Sequence, residues 1–377
     1  MFTLILITSN GKDYCLSMKY PLGERLQSLR SPILVTGHTG FKGTWLTLLL
    51  EALDIPVVGL SLPPAKDSLY INCSRQDAIP EIYGDIRSHQ TVMSAFKEYQ
   101  PSAVIHMAAQ PLVLESYETP VETFETNVMG TVNILDSSTK NIHTKSVICV
   151  TTDKVYKNIE KGKRFKENDA LGGKDPYSAS KVGSESAISA WQQISRVTNG
   201  FPIVSVRAGN VIGGGDSSQD RLLPDIVRSF ISKTSPVLRN PSSTRPWQHA
   251  LDPLIGYLQA LEFSLSSSSS PSYNFGPDEE SLSVSKVAKI ALNAWNDKDL
   301  TIIESEKEIS NYESLKLELD SSLAARELNW SPLWSQEEAI ISTILWWKSV
   351  HSKQRSPLEA CSDEILKAIE TTNRKDR

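Results

Sequence analysis

The chain has 377 residues, 39 Lys and Arg against 44 Asp and Glu, with 40% hydrophobic and 22% charged residues. That is the composition of a folded protein with a large core and not of a disordered one. A net charge of −5 gives no basic field for gripping a nucleic-acid polymer, although backbone dipoles can still hold small anions.

Cysteines stand alone at 15, 73, 149 and 361. With no CxxC pair and no His at ligand spacing they suggest neither a disulfide framework nor a metal site, and they fit a reducing cytoplasm. Apolar runs stop short of the roughly 20 residues that a bilayer crossing needs. The opening MFTLILITSNGKDYC lacks a basic leader and a small-residue cleavage pattern, so it reads poorly as a signal peptide. Residues 1–30 form an extension of unknown role, in which Met18 could equally be the start.

From Ser31 short β-branched runs alternate with amphipathic ones: ILVTG at 33–37, a helix over 41–53, VVGLS at 57–61, AVIH at 103–106 and SVICVTT at 146–152. This βαβ rhythm, with strands apolar on both faces, predicts an α/β fold: a Rossmann-type doubly wound parallel sheet covered by helices on both sides. Ligands should then bind at the strands' carboxyl ends. A dinucleotide domain is expected over 31–205. After IVSVRAGN at 203–210 the rhythm loosens through IGGGD at 212–216 and RNPSSTRPWQH at 239–249. A smaller, mixed C-terminal lobe is predicted over 206–350, interleaved with the first domain. SLSSSSSPS at 264–272 is low-complexity and predicts an exposed loop. Helical patterns return near 283–296 and 335–349, and 351–377 reads as a peripheral segment with a frayed tail.

The first strand runs directly into Thr36-Gly37-His38-Thr39-Gly40-Phe41-Lys42-Gly43. Glycines at 37, 40 and 43 permit a tight turn, close approach of backbone to a pyrophosphate and close helix packing. Strand–loop–helix context makes a dinucleotide site the better reading than a plain turn. The second strand ends Gly59-Leu60-Ser61-Leu62, without the carboxylate that often holds ribose hydroxyls. No cation stands there either, the next being Lys66, so NAD is favoured over NADP. Asp85 could bond the adenine amino group or cap the following helix. His38 and His249 read as structural or contact residues.

Tyr177 and Lys181 stand four apart at the start of a long helical pattern, so both project from one face. A nearby ammonium lowers a phenol's pKa from about 10 toward the working range, which makes Tyr177 a candidate base for an alcohol being oxidised. The strand before it ends Thr151-Thr152-Asp153-Lys154. Thr152 can hydrogen-bond a substrate oxygen, Asp153 can donate a proton if protonated, and Lys154 can accept one if its pKa is depressed. Alone, such a pair at a strand end would be a surface ion pair worth little.

With these residues in place the chain resembles the extended short-chain dehydrogenase/reductases, and within them the CDP-glucose 4,6-dehydratases. The likeness covers 31–350 and rests on VTGHTGFKG (35–43), HMAAQPLV (106–113), TTDKVY (151–156), PYSASK (176–181), VRAGNVIGGGD (206–216), DRLLPD (220–225) and RPWQHALDPLIGYL (245–258). The Asp-Lys pair is informative, since related dTDP- and GDP-sugar dehydratases carry an acidic pair there. The resemblance implies an internal redox cycle on CDP-glucose: tightly bound NAD and Tyr177 oxidise C4, Lys154 takes the C5 proton, Asp153 assists loss of water from C6, and C6 is then reduced. A ketone at C4 acidifies C5, so the cofactor must stay bound throughout. On the cofactor side the resemblance places Gly37, Thr39, Gly40, Phe41, Gly43, Asp85, Ile86, Ala108, Ala109, Gln110 and Asn127, with Tyr177 and Lys181. On the nucleotide-sugar side it places Asn210, Arg221 and Arg245. The arginines suit a diphosphate because a planar fork bonds its oxygens in pairs. Trp247 either stacks on the cytosine or packs internally. A homodimer or homotetramer is implied, built on paired helices over 119–138 and 177–199. Two rivals stand beside this reading: an epimerase or a dehydratase for another nucleotide sugar, and a noncatalytic NAD-binding protein. An epimerase needs no acid/base pair for elimination at C6, and a noncatalytic protein has no use for Tyr177, Lys181, Thr152 and Asp153.

Overall fold

The computed structural model describes residues 22–158, 162–267, 269–305 and 317–375. Seven parallel strands form the central sheet: β1 (Ile33–Thr36), β2 (Val57–Ser61), β3 (Glu81–Tyr83), β4 (Ala103–His106), β5 (Val147–Val150), β6 (Ile203–Ala208) and β7 (Ser272–Phe275). Their order is β7-β6-β5-β4-β1-β2-β3. The chain therefore builds outward from β1 in one direction, returns to β4 and builds the other way. The reversal opens a crevice at the carboxyl ends of β1 and β4.

Every residue of β1, β2, β4, β5 and β6 is buried, which is why these runs read as continuous apolar segments. Successive side chains serve opposite faces. Ile33 and Val35 join the core under α1 (Phe41–Ala52) and α6 (Leu251–Ser264), while Leu34 joins the one under α2 (His89–Tyr99), α3 (Gly130–Lys140) and α4 (Pro176–Thr198). The second lobe packs α5 (Leu222–Ile231), α7 (Val284–Trp295) and α8 (Gln336–His351) around Phe230, Trp295 and Ile340. Its floor is two short pairings: Asn210–Ile212 parallel to Trp247–His249, and Thr244–Arg245 antiparallel to Leu282–Ser283.

The serine-rich stretch forms the predicted loop between α6 and β7, with Ser266 and Ser269 exposed, but its ends are tied into the sheet. Ser264, 1% exposed, closes α6 and shares a 2.6 Å hydrogen bond with Ser146. Ser270 Oγ accepts from the Ile203 N–H, and Ser272 opens β7. Short hydroxyl side chains satisfy nearby backbone groups, so low complexity here serves a tie between sheet strands. The C-terminal segment is a 19-residue helix, α9 (Pro357–Lys375), which buries Ala360, Cys361, Ile365 and Ala368 and packs against α1. Residues 1–21 of the extension, with Cys15, lie outside the described residues. Leu22 and Leu26 join the main core, and the Leu22 N–H donates to Asn373 Oδ1 on α9. Among the described residues no helix is long and apolar enough to cross a membrane, and no cluster of His, Cys, Asp and Glu is arranged to hold a metal.

Candidate active site

The three loop glycines are required for three different reasons. Gly37 has φ +75°, and a Cβ there would stand 2.9 Å from the Ala108 backbone. A Cβ on Gly43 would stand 2.1 Å from the Gly37 carbonyl oxygen, so α1 could not close on the loop. Gly40 begins α1 without any side-chain cap, and a Cβ on it would meet only the Gly37 oxygen, at 3.3 Å. The start of α1 thus has no side-chain cap on its first-turn N–H groups and little crowding at Gly40, which fits a cradle for a diphosphate. Thr39 Oγ1 lies 2.8 Å from Ser61 Oγ and donates to the Leu62 carbonyl, tying the loop to the end of β2. The Phe41 ring lies against Gly213.

After β3, the Asp85 carboxylate accepts from the Arg87 N–H at 2.8 Å and from its guanidinium at 2.6 Å. That contact holds the Asp85 carboxyl below its ordinary range. Ser88, not Asp85, caps α2, so the helix-cap reading of Asp85 fails. Ile86 is buried against Gly130, and its carbonyl accepts from Asn133 Nδ2. After β4, the Ala108 N–H donates to Thr36 Oγ1, and Ala109 and Gln110 follow. Asn127 sits on a π-helical turn, Glu125–Met129, of the kind that recurs at functional sites. Its Oδ1 accepts from the Gln110 N–H at 2.8 Å, and its Nδ2 donates to the Gln110 carbonyl and to Ser180 Oγ. One amide therefore joins the β4 loop to the helix carrying Tyr177. His38 is a core residue, with Nε2 at 2.7 Å from Glu81 Oε2.

Asp175 and Ser178 cap α4 reciprocally and Pro176 fills its first position, so Tyr177 is fixed at the helix start. Its hydroxyl lies near Thr152, whose own hydroxyl donates to Asp153 Oδ1 at 3.0 Å. The Lys154 ammonium lies 3.9 Å from the same oxygen. Lys181 Nζ donates to the Val150 carbonyl at 3.3 Å. Thr152, Asp153, Lys154, Tyr177 and Lys181 are thus brought together at the end of β5.

The ionisation of Tyr177 differs from the expectation. Burial dominates and pushes its phenol up to about 12, with the Asp153 charge adding to the rise and Thr152 and Arg221 opposing it. Lys181 is itself pushed down to about 8 by burial. Both side chains are less than a tenth exposed, and loss of water costs each charged form more than this neighbour returns. In the protein alone burial therefore favours the neutral phenol, with Arg221 the cation that opposes it.

Arg221, at the start of α5, is held by Asp216 Oδ2 at 3.1 Å, and its charge reaches both Tyr177 and Lys42. Lys42 is the group that sequence reasoning left without a role. It is half-buried, donates to the Tyr257 hydroxyl at 3.3 Å, and is pushed down to about 7 by loss of water around its amine and by the Lys181 and Arg221 charges. A lysine between two loop glycines was the available signal. Lys42, Lys181 and Arg221 are close enough for their charges to act on one another, a basic locus in a chain of net charge −5 that suits an anion. Asn210 pairs with Trp247 in the lobe's parallel ladder, and Arg245 Nη1 donates to the Thr244 carbonyl. Trp247 is packed internally: it is 6% exposed, sits in the second core, and its indole N–H donates to the Leu282 carbonyl. Its ring has no open face for a base, which settles the alternative left open above.

A glycine loop at β1, a hydroxyl at the end of β5 and a Tyr-x-x-x-Lys pair on α4 define an extended short-chain dehydrogenase/reductase. The family described as GDP-mannose 4,6 dehydratase matches residues 34–343. The chain is 40% identical over 326 residues to the CDP-glucose 4,6-dehydratase of Salmonella typhimurium, covering 84% of this chain and 90% of that one. It is 26% identical over 350 residues to a dTDP-glucose 4,6-dehydratase of Escherichia coli, covering 84% and 93%. The structure of DesIV, a dTDP-glucose 4,6-dehydratase from Streptomyces venezuelae with NAD and TYD bound, matches with a TM-score of 0.72 at 24% identity, over 87% of this chain and 99% of that one. This chain belongs to the nucleotide-sugar 4,6-dehydratase family.

Proposed function

We propose that this chain converts CDP-glucose to CDP-4-keto-6-deoxyglucose, using tightly bound NAD. The observation that carries the reading is the turn Thr152-Asp153-Lys154, an acid and an amine set beside the Tyr177 phenol. NAD, when bound, accepts hydride from C4 of the sugar and returns it at C6. The uncapped start of α1 with Gly37, Gly40 and Gly43, the Asp85–Ile86 segment, and Ala108, Ala109, Gln110 and Asn127 would hold it. Residues 31–205 would form the bulk of its domain, and 206–350, interleaved with it through β7 and α6, the nucleotide-sugar lobe.

Within that frame Tyr177 accepts the C4 hydroxyl proton, and Thr152 keeps the oxygen in line. Lys154 removes the C5 proton once C4 is a ketone, and Asp153 delivers a proton to the departing C6 hydroxyl. Arg221 and Arg245 engage the diphosphate, with Asn210 beside them. Incubation of the purified protein with CDP-glucose and NAD should give a product lighter by one water, with no net reduced cofactor. Conversion of dTDP- or GDP-sugars with CDP-glucose untouched would overturn the assignment.

We further propose a homodimer built on the helical run 120–140 and α4. Val121, Phe124, Met129, Ile194 and Val197 are 72%, 42%, 50%, 44% and 69% exposed. A groove of about 470 Å³ runs between Pro120, Val121, Phe124, Glu125, Val128 and Met129. Apolar groups this exposed on two neighbouring helices are the signature of a covered face. Light scattering should give twice the chain mass at micromolar concentration, and Val121→Glu should halve it; a wild-type monomer would end the proposal.

A further inference from the structure

We propose that the buried Glu185–Arg207 pair is a positioning unit that clamps both flanks of the turn carrying Asp153 and Lys154; the inference rests on the dehydratase reading only for the reaction it serves. Glu185 lies one helical turn beyond Lys181 on α4 and is 5% exposed; Arg207, on β6, is 4% exposed. They meet at two points, Nε to Oε1 and Nη2 to Oε2, each 2.8 Å.

What distinguishes this pair is what else it holds. Glu185 Oε1 accepts from Thr151 Oγ1 at 2.5 Å, and Thr151 is the residue before Thr152. It also accepts from Ser205 Oγ at 2.7 Å. Arg207 Nη1 donates to the Tyr156 hydroxyl at 2.8 Å, and Tyr156 is the residue that closes the turn Asp153–Val155. The same nitrogen donates to the Glu167 carbonyl, and the Tyr156 hydroxyl passes on to Asn274 Oδ1 on β7. One partner of the pair therefore grips the entry to the catalytic turn and the other grips its exit. Lys181 bonds the Val150 carbonyl, so α4 is fastened to β5 at two successive residues.

The turn needs such outside support. Its own backbone bonds, from the Val155 N–H to the Thr152 carbonyl and from the Tyr156 N–H to the Asp153 carbonyl, are both long at 3.4 Å. Stability alone does not account for the pair, because well-packed apolar residues often replace a buried ion pair without loss. Apolar residues could not, however, hold two hydroxyls on opposite sides of a three-residue turn.

The test uses the full chain and two double variants. Thr151→Val with Tyr156→Phe leaves the pair intact and cuts its grip on the turn, together with the Tyr156–Asn274 bond. Glu185→Met with Arg207→Met removes both charges together and leaves neither buried alone. Wild type is assayed first on CDP-glucose; failure there rejects the dehydratase reading and leaves the clamp to be judged by hydrogen exchange. In both double variants amide exchange over residues 151–157 should rise while the rest of the sheet stays protected. With wild type active, KM should stay within about twofold while kcat falls about 10²-fold, the loss a misplacement of roughly 1 Å carries. CDP-4-keto-glucose should build up at the site with an equal amount of reduced cofactor, up to one per chain, because oxidation through Tyr177 continues while elimination slows. Wild-type exchange over 151–157 in the first variant, or wild-type kcat in either folded variant, overturns the proposal. A rise in KM at constant kcat would overturn it as well.

Discussion

Tyr177→Phe should abolish conversion of CDP-glucose almost completely, lowering kcat by roughly 10²–10⁴-fold, the usual contribution of a positioned proton acceptor. The variant should fold. Only the hydroxyl is lost, a change of about 1 kcal/mol at most in hydrogen bonding, while the ring stays buried behind the capped start of α4. The pH profile is the sharper measurement. Tyr177 acts as a base only after losing its proton, so kcat/KM should rise with pH across its ionisation. Burial pushes that ionisation up to about 12 in the protein alone, and a cation bound beside the phenol would move the limb to lower pH. Tyr177→Phe should erase this limb. Wild-type turnover in the variant would show that another group takes the proton.

Lys154→Met should separate the two halves of the reaction. Oxidation at C4 does not use the Lys154 amine, so CDP-4-keto-glucose should build up at the site, up to one per chain with an equal amount of reduced cofactor, while release of the finished product falls about 10²–10⁴-fold. In heavy water the wild-type product should carry deuterium at C5, because the proton removed there is replaced from solvent. The variant should lose that incorporation along with turnover. Unchanged deuterium at C5 would move the base to another residue, with the neighbouring Asp153, 3.9 Å from the amine, the first to consider.

Much of this site could be read from the chain because its parts are local. β2 and β4 fall on VVGLS and AVIH, since runs buried on both faces carry their signal in every residue. Gly37, Gly40 and Gly43 are legible for a similar reason: their roles depend on the loop's own backbone. The charge state of Tyr177 was not legible, because it follows from a contest between burial and several distant groups. Lys181 is four residues away, but Thr152, Asp153 and Arg221 arrive from other elements, and burial outweighs them all. Lys42 escaped for the same cause, as Tyr257 and Arg221 lie more than a hundred residues along the chain. The serine-rich stretch was legible only as a loop, because composition says nothing of the backbone groups that its hydroxyls meet.

The packing of α9 against α1, joined there by Leu22, bears on what a fragment of this protein could do. The helix that begins at the glycine loop has its apolar back sealed by a segment far along the chain. A fragment holding only the glycine-loop half would leave that greasy surface to solvent, so the half is no self-sufficient unit.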